Sequence, residues 1–208
     1  MNIPRTATAA LAALTALAFL IIGIVAADPP AALTMGFIPA RWSGSDLPWA
    51  AVPAILTPLS STLVHAGFLH LAFNLLMLVW CGTQVERVLG RGALLVLYGI
   101  GAYAAAAAQW LADTNSIIPV IGASGAVSAI IGAFALSFSR AKQLTKSVRL
   151  NRLINAAWLL AAWVVMQVLI GIASGSEGLV LATPAHIGGF VAGLLLQRPL
   201  LLWRYRKA

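Results

Sequence analysis

Charge is what this chain has least of. Only 9% of its 208 residues are Asp, Glu, Lys or Arg, against about a quarter in soluble globular domains. So few charges cannot coat a water-facing surface, which excludes a soluble fold. Acidic residues are the scarcest, five in all. None falls inside the long apolar runs. That removes the intramembrane carboxylates expected of a channel or proton-coupled transporter. No H-E-x-x-H occurs either, so three histidines without a carboxylate base do not make a zinc protease. The single cysteine, Cys81, excludes an internal disulfide. The formal net charge of +8 is distributed as membrane topology would distribute it, so nucleic acid is not an expected partner.

What is present is hydrophobic sequence, 61% of the residues, with a mean hydropathy of +0.95. A helix needs about 20 apolar residues to cross a bilayer. Six runs qualify, at 7–27, 63–83, 93–112, 124–139, 153–173 and 184–203. The predicted class is an all-α, polytopic membrane protein with one domain over 1–208 and the lipid bilayer as its surroundings. The fourth run is short. The sixth is interrupted by Arg198 and Pro199, although an arginine there can snorkel to the interface. The first run, preceded by Arg5 and followed by "IVAADPP", reads as a retained helix or as a signal peptide; its length favours the helix.

Six spans place every basic residue except Arg41 on one side, from Arg5 through Arg87, Arg91, Arg140, Lys142, Lys146, Arg149 and Arg152 to Arg198, Arg204, Arg206 and Lys207. Asp28, Asp46, Asp113 and Glu177 fall opposite, and Glu86 alone inside. Both termini are therefore expected in the cytoplasm. The first loop, 28–62, holds six prolines together with Trp42 and Trp49. It is expected to lack a long helix and either to dip into the interface or to serve as a plain tether.

Polar groups within apolar runs carry the functional signal. The second run holds His65, His70 and Asn74, the last two one helical turn apart. Interhelical hydrogen bonding would account for them. The fourth, "VIGASGAVSAIIGAFALSF", opens on Gly122, Ser124 and Gly125, with Ser128 and Gly132 at four-residue steps. Close helix packing explains Ser128 and Gly132, whereas Ser124 stands at a helix start as an N-cap or as a nucleophile. The sixth, "PAHIGGFVAG", places His186 with Gly189 and Gly193 on its face. That histidine is a packing residue, a proton carrier or a base. Helices two, four and six run in the same direction, so their polar residues lie at similar depth near the outer side. Three separate packing accidents would not require that. A serine hydroxyl becomes a nucleophile when a base takes its proton. His186 can be that base, and Asn74, His70 and the Ser124 backbone N–H can be oxyanion donors. With no carboxylate near His186, the predicted unit is a Ser–His dyad, needing neither cofactor nor metal.

These residues resemble the rhomboid family of intramembrane serine proteases. The resemblance rests on H-x-x-x-x-H-x-x-x-N at His65, His70 and Asn74, on "GTQVERVLG" at 82–90, on G-x-S-G at 122–125, and on A-H-x-x-G-x-x-x-G at 185–193. All four occur in order and on the matching helices. The resemblance implies a six-helix rhomboid-like bundle in a bacterial plasma membrane. Ser124 would be the nucleophile and His186 the general base, then acid. His70, Asn74 and the Ser124 amide would hold the oxyanion, with His65 in support. The first loop would be a lateral element partly embedded in the membrane. Substrates would be single-span membrane proteins cut within their membrane segments. A non-catalytic relative that binds transmembrane clients is the rival reading; such proteins usually lack the serine or the histidine. Two departures stand out. Ser128 occupies a place where the family often carries an aromatic residue against the histidine, so His186 must be oriented otherwise. "ARWSG" has Arg41 before Trp42, the reverse of the family's first-loop pair.

Overall fold

The computed structural model describes residues 6–25, 28–138, 144–173 and 182–206. Among the described residues, five helices are long and apolar enough to cross a membrane: α1 (Ala7–Val25), α5 (Phe68–Leu89), α6 (Arg91–Ala112), α8 (Val148–Ala173) and α9 (Thr183–Arg204). Short helices α2 (Ala31–Met35), α3 (Pro39–Trp42) and α4 (Thr57–Ser60) lie in the first loop. The remaining helix, α7 (Ser124–Ser137), has 14 residues. At 1.5 Å per residue it is about 21 Å long, short of the roughly 30 Å hydrocarbon core. It need not match lipid, because ten of its residues are buried in protein. The chain is an integral, multi-pass membrane protein.

Several boundaries differ from the expected ones, each for a local reason. The second helix starts at Phe68, not at residue 63, because a 3-10 turn over Ser61–Leu63 gives way to extended Val64 and Gly67. His65 therefore precedes the helix. At the other end α5 continues to Leu89 and stops where Gly90 turns the chain with φ 86°. The third and fifth helices begin earlier than expected, with Arg91 and with Val148–Arg149; charged first turns can stand outside the hydrocarbon. Pro199 does not interrupt α9, which runs through it to Arg204. Proline removes one helical hydrogen bond without ending the helix. The expected span ends Ala26, Ala27 and Ser139 lie outside the described residues, as do Arg5, Arg140, Lys142, Glu177 and Lys207 from the charge pattern.

Helix α7 is the centre of the bundle, and α9 packs closely on it and on α6. Glycines make that approach possible. A Cβ on Gly189 would strike the Gly125 carbonyl, one on Gly193 the Ala129 carbonyl, and one on Gly132 the Phe190 carbonyl. The two helices thus meet backbone to backbone, the contact that small residues permit in membranes. Helix α1 is peripheral and docks on α5 through Glu86. The buried carboxylate accepts hydrogen bonds from the Ala7 N–H (2.8 Å), the Thr8 N–H (2.9 Å) and Thr8 Oγ1 (2.6 Å). Those amides are the ones a helix start leaves without partners.

The first loop is not a plain tether. Phe37 and Val120 form an antiparallel bridge, with N–H···O distances of 3.0 and 2.7 Å. Arg41 Nη2 donates to the Val52 carbonyl (2.9 Å) and Trp42 Nε1 to the Ala54 carbonyl (3.0 Å). Tyr103 of α6 donates to the Ile55 carbonyl (2.8 Å). The loop is thereby fastened to α6 and to the segment that leads into Ser124.

Candidate active site

Ser124 is the first residue of α7, and Ala123 occupies the N-cap without a side-chain cap. Its hydroxyl is therefore not spent on capping. Ser124 Oγ lies 2.9 Å from His186 Nε2, with Ser124 4% exposed and His186 1%. The contact follows from the helix packing. Gly189, one turn beyond His186, sits on the Gly125 carbonyl, and Gly193 continues the close approach. Gly125 faces the Ala105 methyl of α6, so a side chain there would push the helices apart.

The turn before Ser124 is set by Gly122, whose φ of 108° is left-handed territory. A side chain at 122 would also run into the His70 ring. The Gly122 N–H donates to the Ser61 carbonyl (2.9 Å), and the Ala123 N–H to His65 Nε2 (3.5 Å). His65 thus meets the turn that leads into Ser124. The His65 and His70 ring centroids are 5.0 Å apart.

His70 and Asn74 are joined to each other: Asn74 Nδ2 donates to the His70 carbonyl (2.8 Å). His70 Nδ1 accepts from the Ala66 N–H (3.4 Å). A neutral ring that accepts at Nδ1 carries its proton on Nε2. That Nε2 has no partner among the described residues, although His70 is fully buried. Asn74 Oδ1 is likewise unpaired. At the start of α7 the first intrahelical bond is Val127 N–H to the Ala123 carbonyl (2.9 Å). The amides ahead of it, Ser124's included, leave the helix end without intrahelical acceptors. A cavity of about 20 Å³ beside Ser124, bordered by Thr62 and Ala185, has room for one water. Chemically, the arrangement offers a hydroxyl beside a base, together with buried polar atoms of His70 and Asn74 that have no partner among the described residues.

With Nε2 accepting from the Ser124 hydroxyl, the ring proton of His186 would sit on Nδ1, an atom with no partner among the described residues. The aromatic ring packed against His186 carries no mark in the sequence. Trp163 of α8 lies at 70° to the imidazole with centroids 6.3 Å apart. Its Nε1 donates to Ser128 Oγ (2.7 Å), which donates to the Ser124 carbonyl (2.6 Å). A tryptophan in an apolar run looks like a lipid-facing or interfacial residue, so nothing marked it. Gln167, one turn on, was marked. It is a polar residue in a span, 1% exposed, with neither amide atom paired among the described residues.

Residues 54–203 match the family model described as Rhomboid domain. Among curated relatives, Rhomboid protease GlpG of Pectobacterium atrosepticum is 32% identical over 160 residues, covering 73% of this chain and 53% of that protein. Rhomboid protease GluP of Bacillus subtilis is 29% identical over 140 residues, 67% of this chain and 24% of that one. RHOMBOID-like protein 5 of Arabidopsis thaliana is 30% identical over 142 residues, with shares of 67% and 42%. The chain spans about half the length of these relatives or less. The match runs from the first loop to the end of the last helix, and on that ground the chain belongs to the rhomboid family.

Proposed function

We propose that this protein is an intramembrane serine endopeptidase that cuts the membrane segments of single-span proteins with a Ser124–His186 dyad. The observation that carries this reading is the 2.9 Å contact between Ser124 Oγ and His186 Nε2 inside the bundle. Ser124 Oγ attacks the scissile carbonyl carbon as its proton passes to His186 Nε2. The carbonyl oxygen becomes an oxyanion, held by His70 Nε2–H, the Asn74 amide and the Ser124 N–H. Collapse breaks the C–N bond, and His186 gives its proton to the leaving amine. Water, deprotonated by His186, then attacks the acyl-serine, releases the second product and restores the hydroxyl. His65 supports the turn that carries Ser124, and Gly122 keeps it clear of His70.

Six spans, with α7 as the short one, would set both termini in the cytoplasm of a bacterial cell and open the site to the outer side of the plasma membrane. The docked first loop would lie to the side, where a substrate helix enters from lipid. That helix must unwind locally before attack. A Gly placed near the cleaved bond lowers the cost of unwinding by about 1 kcal/mol relative to Ala. A Gly-bearing substrate should therefore be cut several-fold faster than its all-Ala/Leu parent; equal rates would contradict the unwinding step.

The test is incubation of purified protein with a panel of single-span substrates. Wild type should cleave. Ser124→Ala and His186→Ala should each lose activity by about 10³-fold or more while still folding. Binding of a substrate without cleavage by folded wild type would favour the non-catalytic alternative.

A further inference from the structure

We propose that Trp163 is the positioning residue that holds the His186 imidazole toward Ser124, a role that rests on the dyad reading above. In a triad a carboxylate at the distal ring nitrogen fixes the base's orientation. Here His186 Nδ1 has no partner among the described residues, and a ring with one hydrogen bond is free to turn about its last side-chain torsion. The imidazole must be held by packing, and the aromatic ring recorded against it is Trp163, near-perpendicular at 6.3 Å.

Trp163 is itself fixed. It is 2% exposed, and its indole N–H is tied to Ser128, which is fully buried. The Ser128 hydroxyl proton is committed to the Ser124 carbonyl, so its oxygen is the acceptor for Trp163. A chain of two hydrogen bonds and one ring contact thus runs from the nucleophile's own backbone, through α8, to the nucleophile's base on α9. The small side chain at 128 is what admits it, since a bulky residue there would occupy the space of the indole. Ser128 of α7 and Trp163 of α8 together supply the orientation that a carboxylate provides in a triad.

Full-length protein in bilayers, cleaving one single-span substrate, tests this with Trp163→Leu, Trp163→Phe and Ser128→Ala. A misdirected base lowers the chemical step and leaves binding alone. Trp163→Leu should reduce kcat by about 10- to 100-fold with KM changed less than about twofold. Trp163→Phe keeps a ring edge and Ser128→Ala keeps the indole, so each should lose less, about three- to tenfold in kcat. Labelling of Ser124 by a fluorophosphonate should slow in the same order. An unchanged kcat in Trp163→Leu, or a loss confined to KM, overturns the proposal. So does wild-type kcat in both milder variants when the Leu variant has lost its thermal transition. If folded wild type neither cleaves nor labels, the dyad reading falls and takes this inference with it. If wild type is active and the variants match it, this inference falls alone.

Discussion

His70 Nε2 has no partner among the described residues, and the ring is completely buried beside a glycine that makes room for it. A buried donor left unpaired costs roughly 1–3 kcal/mol, a cost that an oxyanion formed beside it would offset. His70→Ala should therefore lower kcat on the order of 100-fold, with little change in the thermal midpoint; a full rate would remove His70 from the reaction. The polar residues of this site were legible in the sequence because polarity is expensive in an apolar run. Ser124, His186, His70 and Asn74 each interrupt hydrophobic sequence. Trp163 interrupts nothing, and so its contact with His186 could be found only in three dimensions. His65 was legible as polar but not as lying ahead of the helix, since the extended turn at Val64 leaves no mark in a hydrophobic pattern.

Helix α1 is anchored at its first turn by one acidic side chain. Glu86 accepts three hydrogen bonds from its first turn, and Arg91 Nε lies 3.9 Å away. Hydrogen bonds to a charged group contribute about 1.5–3 kcal/mol each where buried. Glu86→Ala should lower the thermal midpoint and destabilise the fold by roughly 2–4 kcal/mol, measured by unfolding in detergent. A midpoint equal to wild type would show that packing holds α1 without the carboxylate. The sequence placed Glu86 on the inner side but offered no sign of this role, because its partners are backbone amides some 80 residues away. The shortness of α7 and its four-residue small stripe were visible; the carbonyls that Gly189 and Gly193 press against were not.

The whole molecule is a short central helix wrapped by longer ones, and its direction in the membrane is a matter of charge. With both termini inside, Lys146→Cys and Arg206→Cys should react with an impermeant thiol reagent only after the inner face is opened, and Asp46→Cys at once. All three positions are exposed. Cys81, 2% exposed, should stay silent. The reverse pattern would invert the topology and turn the site toward the cytoplasm. Activation of Ser124 by His186 underlies the proposed function at every scale, and covalent capture tests it most directly. Intact-mass and peptide analysis after fluorophosphonate treatment should find one adduct on wild type, located at Ser124. The adduct should be absent from Ser124→Ala and strongly slowed in His186→Ala. A folded wild type that stays unmodified, or an adduct at another residue, would contradict the account.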